Sequence, residues 1–295
     1  MTGRRITPRR VTGFAARWAV LGLALFVFLT PVVWLVLMSF KPEDQWVSSP
    51  PDWIPNEWTI FSYQYLWDEG TEARTITGGD AAGGAGKNAL FNSLIIVCSA
   101  TAAAMLIGTL AAYSMSKFRT GGKNFALWVL SIRFLPPIIF TVPLLLIFND
   151  IGLINTYHGL ILIYTVFAIG FVVWMMKGFF DEVPRDVEES ARVDGCSWFG
   201  TMWRISLPLV VPGFVAVLLL TFILLWTELL FAVIFLNQDK HTIPVELFAF
   251  FSASRGIAWG PQAALSIMAI APILAFALLI QRYLIRGMTF GAVRE

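Results

Sequence analysis

Residues 18–40 read WAVLGLALFVFLTPVVWLVLMSF, a stretch without one charged side chain. A helix of about 18 or more such residues spans a hydrocarbon core roughly 30 Å thick. Working outward, five further runs are nearly as apolar, with at most one charged residue each: 89–116, 125–148, 158–178, 207–236 and 263–285. Bulk composition agrees. Of 295 residues, 57% are hydrophobic and 14% charged, with a mean hydropathy of +0.72, whereas soluble domains carry roughly 25% charged residues. The alternating pattern of a membrane β-barrel is absent, and backbone groups in lipid must be satisfied within the segment, so the runs are expected to be helices. The fold class is therefore an all-α integral membrane protein with six transmembrane helices.

Cations set the orientation. Fifteen fall on one side: Arg4, Arg5, Arg9, Arg10 and Arg17 before the first run, Lys117, Arg119 and Lys123 after the second, Lys177, Arg185, Arg192 and Arg204 after the fourth, and Arg282, Arg286 and Arg294 at the end. Five fall on the other, namely Lys41, Arg74, Lys87, Lys240 and Arg255, and Arg133 lies inside a run. N-terminus and C-terminus are both expected in the cytoplasm, the chain crossing the cell membrane many times. The first run is longer than a signal h-region and no small-residue cleavage site follows it, so it is expected to be retained.

The chain then divides into a basic cytoplasmic arm (1–17), the first span (18–40), an external Trp-, Pro- and Gly-rich segment (41–88), a core of five helices (89–285) and a cytoplasmic tail (286–295). The core includes a cytoplasmic loop (181–213) and an external loop (237–261). A net charge of +2 gives no sign of nucleic acid. Two cysteines form no disulfide or metal pattern, and two distant histidines supply no catalytic cluster. Gly83-Gly84-Ala85-Gly86-Lys87-Asn88 is faintly like a phosphate loop. It has Ala81 where the first glycine is needed, lacks the final Ser or Thr, and faces outward ahead of a span. No ATP site is expected in this chain.

The cytoplasmic loop reads DEVPRDVEESARVDGCSWFGTMWRISLPLVVPG over 181–213. Pro184 suits the first turn of a short helix. Asp186, Glu188 and Glu189 suit its positive dipole end, Val187, Ala191 and Val193 give it a partly apolar face, and Gly195 can end it. A second short helix is expected over about 198–205. Glu189-Ser190-Ala191-Arg192-Val193-Asp194-Gly195, followed by Ile205-Ser206-Leu207-Pro208-Leu209 and Pro212-Gly213, resembles the EAA loop of ABC importer permeases, with Ser190 and Cys196 in place of alanines. Further stretches resemble the carbohydrate-uptake subgroup, the maltose-transporter "G-like" permeases: Asn92-Ser93, Ala111-Ala112-Tyr113, Arg133 with Pro136-Pro137 and Pro143, Trp226-Thr227-Glu228, and the end of the chain from Arg282 to Val293. Thr227 and Leu229 depart from the usual W-N-E-F.

The resemblance implies a type I ABC importer permease fold without catalysis of its own. It also implies a second permease subunit as a heterodimer partner, two ATPase subunits that bind ATP and Mg, an extracytoplasmic solute-binding protein, and a sugar, polyol, sulfosugar or glycerol phosphate as solute. ATPase coupling would fall to Glu189, Ser190, Ala191, Asp194, Gly195, Leu207 and Pro208. Candidates for the substrate path are Asn92, Arg133, Trp226 and Glu228; for contact with the binding protein, Glu246, Ser252 and Arg255. An intramembrane cation such as Arg133 marks either a pathway or a buried partner. The rival is an ion-coupled secondary transporter, which calls for denser intramembrane carboxylates and an internal repeat; neither is visible. Which solute is carried, and which permease of the pair touches it, is not written in this chain.

Overall fold

The computed structural model describes residues 8–68, 84–122, 124–252 and 256–290. Arg255 and the side chain of Ser252 lie outside the described residues, as do 69–83 of the Gly-rich segment and 291–295 of the tail. Apart from a two-residue β pair, Phe251–Ser252 with Gly256–Ile257, the described chain is helical. It divides into two units, Met1–Gly84 with Phe250–Ile267, and Ala85–Ala249 with Met268–Glu295.

In the first unit, α1 (Pro8–Ser39) carries the apolar stretch Arg17–Ser39, none of it buried in its most apolar window. Beyond it the described residues 41–68 are joined to α1 by aromatic contacts: Trp34 meets Trp53 edge-on at 5.1 Å, and Phe40 meets Tyr63 at 5.3 Å. Lys41 is buried, lies 4.9 Å over the Trp34 ring, and donates to the Asp52 carbonyl. α2 (Phe61–Trp67) buries Tyr65 and Leu66.

The second unit is built on α3 (Ala85–Phe118) and α6 (Tyr157–Asp181). Ala100, Ala104, Gly108 and Ala112 are buried at four-residue steps along α3, a ridge of small residues that lets helix backbones approach closely in lipid. A Cβ on Gly108 would come within 2.6 Å of the Val172 side chain in α6. Similar close approaches seat two further helices against α6. Gly170 faces the Val129 carbonyl of α4 (Phe125–Ser131), and Gly213 faces the Phe179 ring from α10 (Val211–Trp226).

Among the described residues, four helices are long and apolar enough to cross a membrane: Arg17–Ser39, Ala85–Phe118, Tyr157–Asp181 and Trp259–Gln281. The other two expected spans are bent. Phe125–Phe134 meets α5 (Ile138–Asp150) at 91°. The break has a local cause: Leu135, forced extended (φ −72°, ψ 132°) ahead of Pro136-Pro137, cannot continue a helix. The run 207–236 is not one straight helix either. Trp198–Leu209 meets α10 at 81° between Pro208 and Pro212, and the chain breaks again after Trp226 before α11 (Leu230–Phe235). The count of membrane helices is thus four, or six if each bent pair crosses once.

Candidate functional site

The 181–213 loop folds as two short helices around a glycine. α7 spans Arg185–Val193, with Pro184 one place before the helix rather than inside its first turn. At its end Gly195 takes φ +90°, donates to the Arg192 carbonyl at 3.1 Å, and is followed by Cys196, which donates to the Ala191 carbonyl at 3.0 Å. These two bonds form a Schellman cap, whose left-handed residue is normally glycine. The Arg192 guanidinium reaches the Cys196 carbonyl and lies 4.7 Å over the Trp198 ring. α8 (Trp198–Thr201), capped by the Ser197 hydroxyl on the Gly200 amide, runs into a π-helical stretch, Met202–Ser206, where the sequence suggested plain helix to about 205. α9 (Leu207–Leu209) holds Leu207 and Pro208.

α7 is mounted with its acidic residue inward. Glu188 is 3% exposed; its carboxylate pairs with Lys117 at 2.8 Å and accepts from the Ser206 hydroxyl at 2.5 Å. Lys117, in the last turn of α3, also donates to the Phe180 carbonyl at the end of α6, where a cation meets the negative helix end. Nearby, Ser116 donates to Asp181 at 2.6 Å. One buried ion pair therefore ties α7 to α3 and the π-helical stretch, and Lys117 carries the tie on to α6. The apolar face expected from Val187, Ala191 and Val193 is not what is buried. Ala191 lies inside beside Glu188, whereas Val187 is 43% and Val193 87% exposed, flanked by exposed Glu189, Ser190, Asp194 and Gly195. Sequence reasoning missed Lys117, Glu188 and Ser206 as a set. The spacing of Glu188 three residues before Ala191, on one helix face, was the available signal.

The path candidates separate into two kinds. Asn92 is buried, accepts from the Tyr157 hydroxyl at 2.7 Å and donates to the His241 carbonyl at 3.0 Å. Trp226 is buried, donates to the Ala269 carbonyl at 3.2 Å and stacks on Phe222. Glu228 accepts from Tyr164 at 2.8 Å and from the Phe231 amide at 3.1 Å, capping α11. Arg133 alone has no such commitment: it sits at the α4 break, its guanidinium 5.5 Å from the Phe171 ring centre. At the opposite end of α3 from Lys117, Ser93 accepts from the Ile243 amide, the first residue of α12 (Ile243–Ala249). Glu246, expected to face a partner, is 8% exposed and 3.1 Å from the His241 ring. The Lys240 ammonium bonded to exposed Asp239 holds that carboxyl below the usual range.

With this geometry in view, the sequence matches over residues 104–290 the family described as "Binding-protein-dependent transport system inner membrane component". It is 32% identical over 292 residues to the probable ABC transporter permease protein YurM of Bacillus subtilis, covering 97% of this chain and 91% of that one. It is 33% identical over 284 residues to the trehalose transport system permease protein SugB of Mycobacterium tuberculosis, covering 95% and 98%. Its fold is similar, at TM-score 0.70 and 18% identity, to a chain of a bacterial ABC transporter involved in the import of the acidic polysaccharide alginate, covering 96% of this chain and 99% of that one.

Proposed function

This chain belongs to the family of binding-protein-dependent transport system inner membrane components, a non-catalytic, multi-pass permease of an ABC importer, and from that premise we propose that it forms half of the translocation pore for a carbohydrate. The names of relatives such as the trehalose permease support the solute class. In this reading it pairs with a different second permease, six segments cross the membrane, both termini are cytoplasmic, and two ATPase subunits bind ATP and Mg. The distribution of cations, fifteen against five, supports the orientation.

The observation that carries the coupling role is the inverted helix α7. A helix that buries its glutamate and exposes two valines holds its charge for attachment and offers apolar side chains to a covering partner. Glu189, Ser190, Asp194 and Gly195 frame Val193 on that outer face, and Ala191 with Leu207 and Pro208 set its base. ATP-driven closure of the ATPases would push this face, and the Glu188–Lys117 pair would pass the displacement into α3 and α6. Asn92, Trp226 and Glu228 are assigned to holding the bundle together, since their polar atoms already have partners. At the external end, contact with the solute-binding protein is assigned to the Ser252 side chain and Arg255, which lie outside the described residues, whereas Glu246 is turned inward.

The test is uptake of labelled trehalose and related sugars by vesicles containing the full complex. ATP-dependent uptake that survives an ionophore is expected. Uptake driven by an ion gradient without ATP would overturn the reading in favour of a secondary transporter.

A further inference from the structure

A cavity of about 480 Å³ opens between the broken α4–α5 pair and α6, walled by Val129, Ile132, Phe140, Leu144, Val166 and Ile169, with Arg133 its only charged lining residue. The 91° break at Pro136-Pro137 turns α5 away from the line of α4, and the volume falls within the roughly 300–1,000 Å³ of small-molecule sites. The mouth is apolar and at the surface, with Val166, Leu162 and Ile132 exposed. Arg133 is half-buried, and its one described interaction is with the face of Phe171; no carboxylate pairs with it among the described residues. A guanidinium keeps its charge and has five donors to satisfy, and in a membrane such a group calls for an anion. The carboxylate of Glu228, in the fifth apolar run, already bonds Tyr164 and caps α11.

We propose that this cavity holds one phospholipid of the cytoplasmic leaflet with an anionic headgroup, its acyl chain on the apolar wall and its headgroup paired to Arg133. Depth supports the assignment. α4 begins at Phe125, entering from the cytoplasmic side in the orientation proposed above, and eight helical residues later Arg133 lies roughly 12 Å in, at 1.5 Å per residue. An arginine side chain at that depth extends back toward the headgroups. The cytoplasmic leaflet supplies anionic lipids, and basic pockets between helices recognise them. The inference rests on that orientation and not on the identity of the solute.

The test is native mass spectrometry of the assembled transporter after incubation in mixed phosphatidylcholine–phosphatidylglycerol nanodiscs. The wild type is expected to retain phosphatidylglycerol in preference to phosphatidylcholine. Arg133→Gln is expected to lower that retention about fivefold, the equivalent of about 1 kcal/mol for one basic group at an anionic leaflet, and Arg133→Lys to keep most of it. Val166→Trp, which fills the groove without touching the cation, is expected to lower retention as well, and it carries the test if Arg133→Gln fails to assemble. Equal retention of both lipids by the wild type, or retention unchanged by Arg133→Gln or by Val166→Trp, would overturn the proposal. Lost sugar uptake in Arg133→Gln with lipid retention intact would overturn it too, in favour of a place on the solute path. Failure of the carbohydrate reading would appear instead as absent ATP-driven uptake in the wild type, with lipid retention unaffected.

Discussion

The two ends of the α3–α6 pair are finished in opposite ways. At the α7 end a buried ion pair, Lys117–Glu188, holds a helix whose Val187 and Val193 are exposed. At the opposite end, mostly neutral hydrogen bonds through Asn92, Tyr157 and Ser93 hold α12, whose Ile243 and Val245 face inward and are at most 2% exposed. The first loop spends its charge on attachment and keeps its valines free for the partner proposed above. The second is held by buried apolar groups and neutral hydrogen bonds.

The largest test of that contrast is Glu188→Leu. Removing one partner leaves Lys117 buried and unpaired, at about 3–5 kcal/mol, read as a lowered melting temperature of the detergent-solubilised protein. Adding Lys117→Met is expected to restore much of it; a double variant no better than the single would break the argument. Next is Gly195→Val, which forces a β-branched residue to φ +90° at about 1–3 kcal/mol. ATP-dependent uptake should disappear while the protein still inserts, and Gly195→Asn should be milder, since Asn tolerates the left-handed region. At the external end Asn92→Leu removes two hydrogen bonds, about 1–2 kcal/mol in all, detectable as a smaller melting shift with ATPase binding unchanged.

Val193→Asp sharpens the comparison from the other side. At 87% exposure it should leave the subunit's own melting temperature unmoved, yet weaken co-purification of the ATPase about tenfold, as loss of an interface anchor does. Smallest is Asp239→Asn. The folded Asp239 carboxyl lies below its usual range, so its contact with Lys240 is present at neutral pH and fades only as pH falls through that lowered value. An exposed pair is screened, and melting curves of the wild type and Asp239→Asn should coincide at pH 7.

Much of this was legible in the sequence. Apolar length alone marks α1, α3, α6 and the last long helix, because crossing a bilayer is a demand on composition. The bends in the third and fifth runs were written only as prolines, Pro136-Pro137 and Pro208 with Pro212, and an apolar run reads the same whether straight or broken. Gly195 was readable because the left-handed cap admits few residues. Glu188 was not: beside Asp186 and Glu189 it looks like one more acid at a helix start, and its partner Lys117 is distant in sequence. Asn92, Trp226 and Glu228 could be placed in the spans but not aimed, since a polar group inside a membrane reads alike whether it meets a solute or a neighbouring helix.

The bare surface of α1 bears on biogenesis. None of its most apolar window is buried, so its free energy in the bilayer is set mainly by lipid solvation, residue by residue. The leading segment can leave the translocation machinery and settle in the membrane before any later helix has been synthesised.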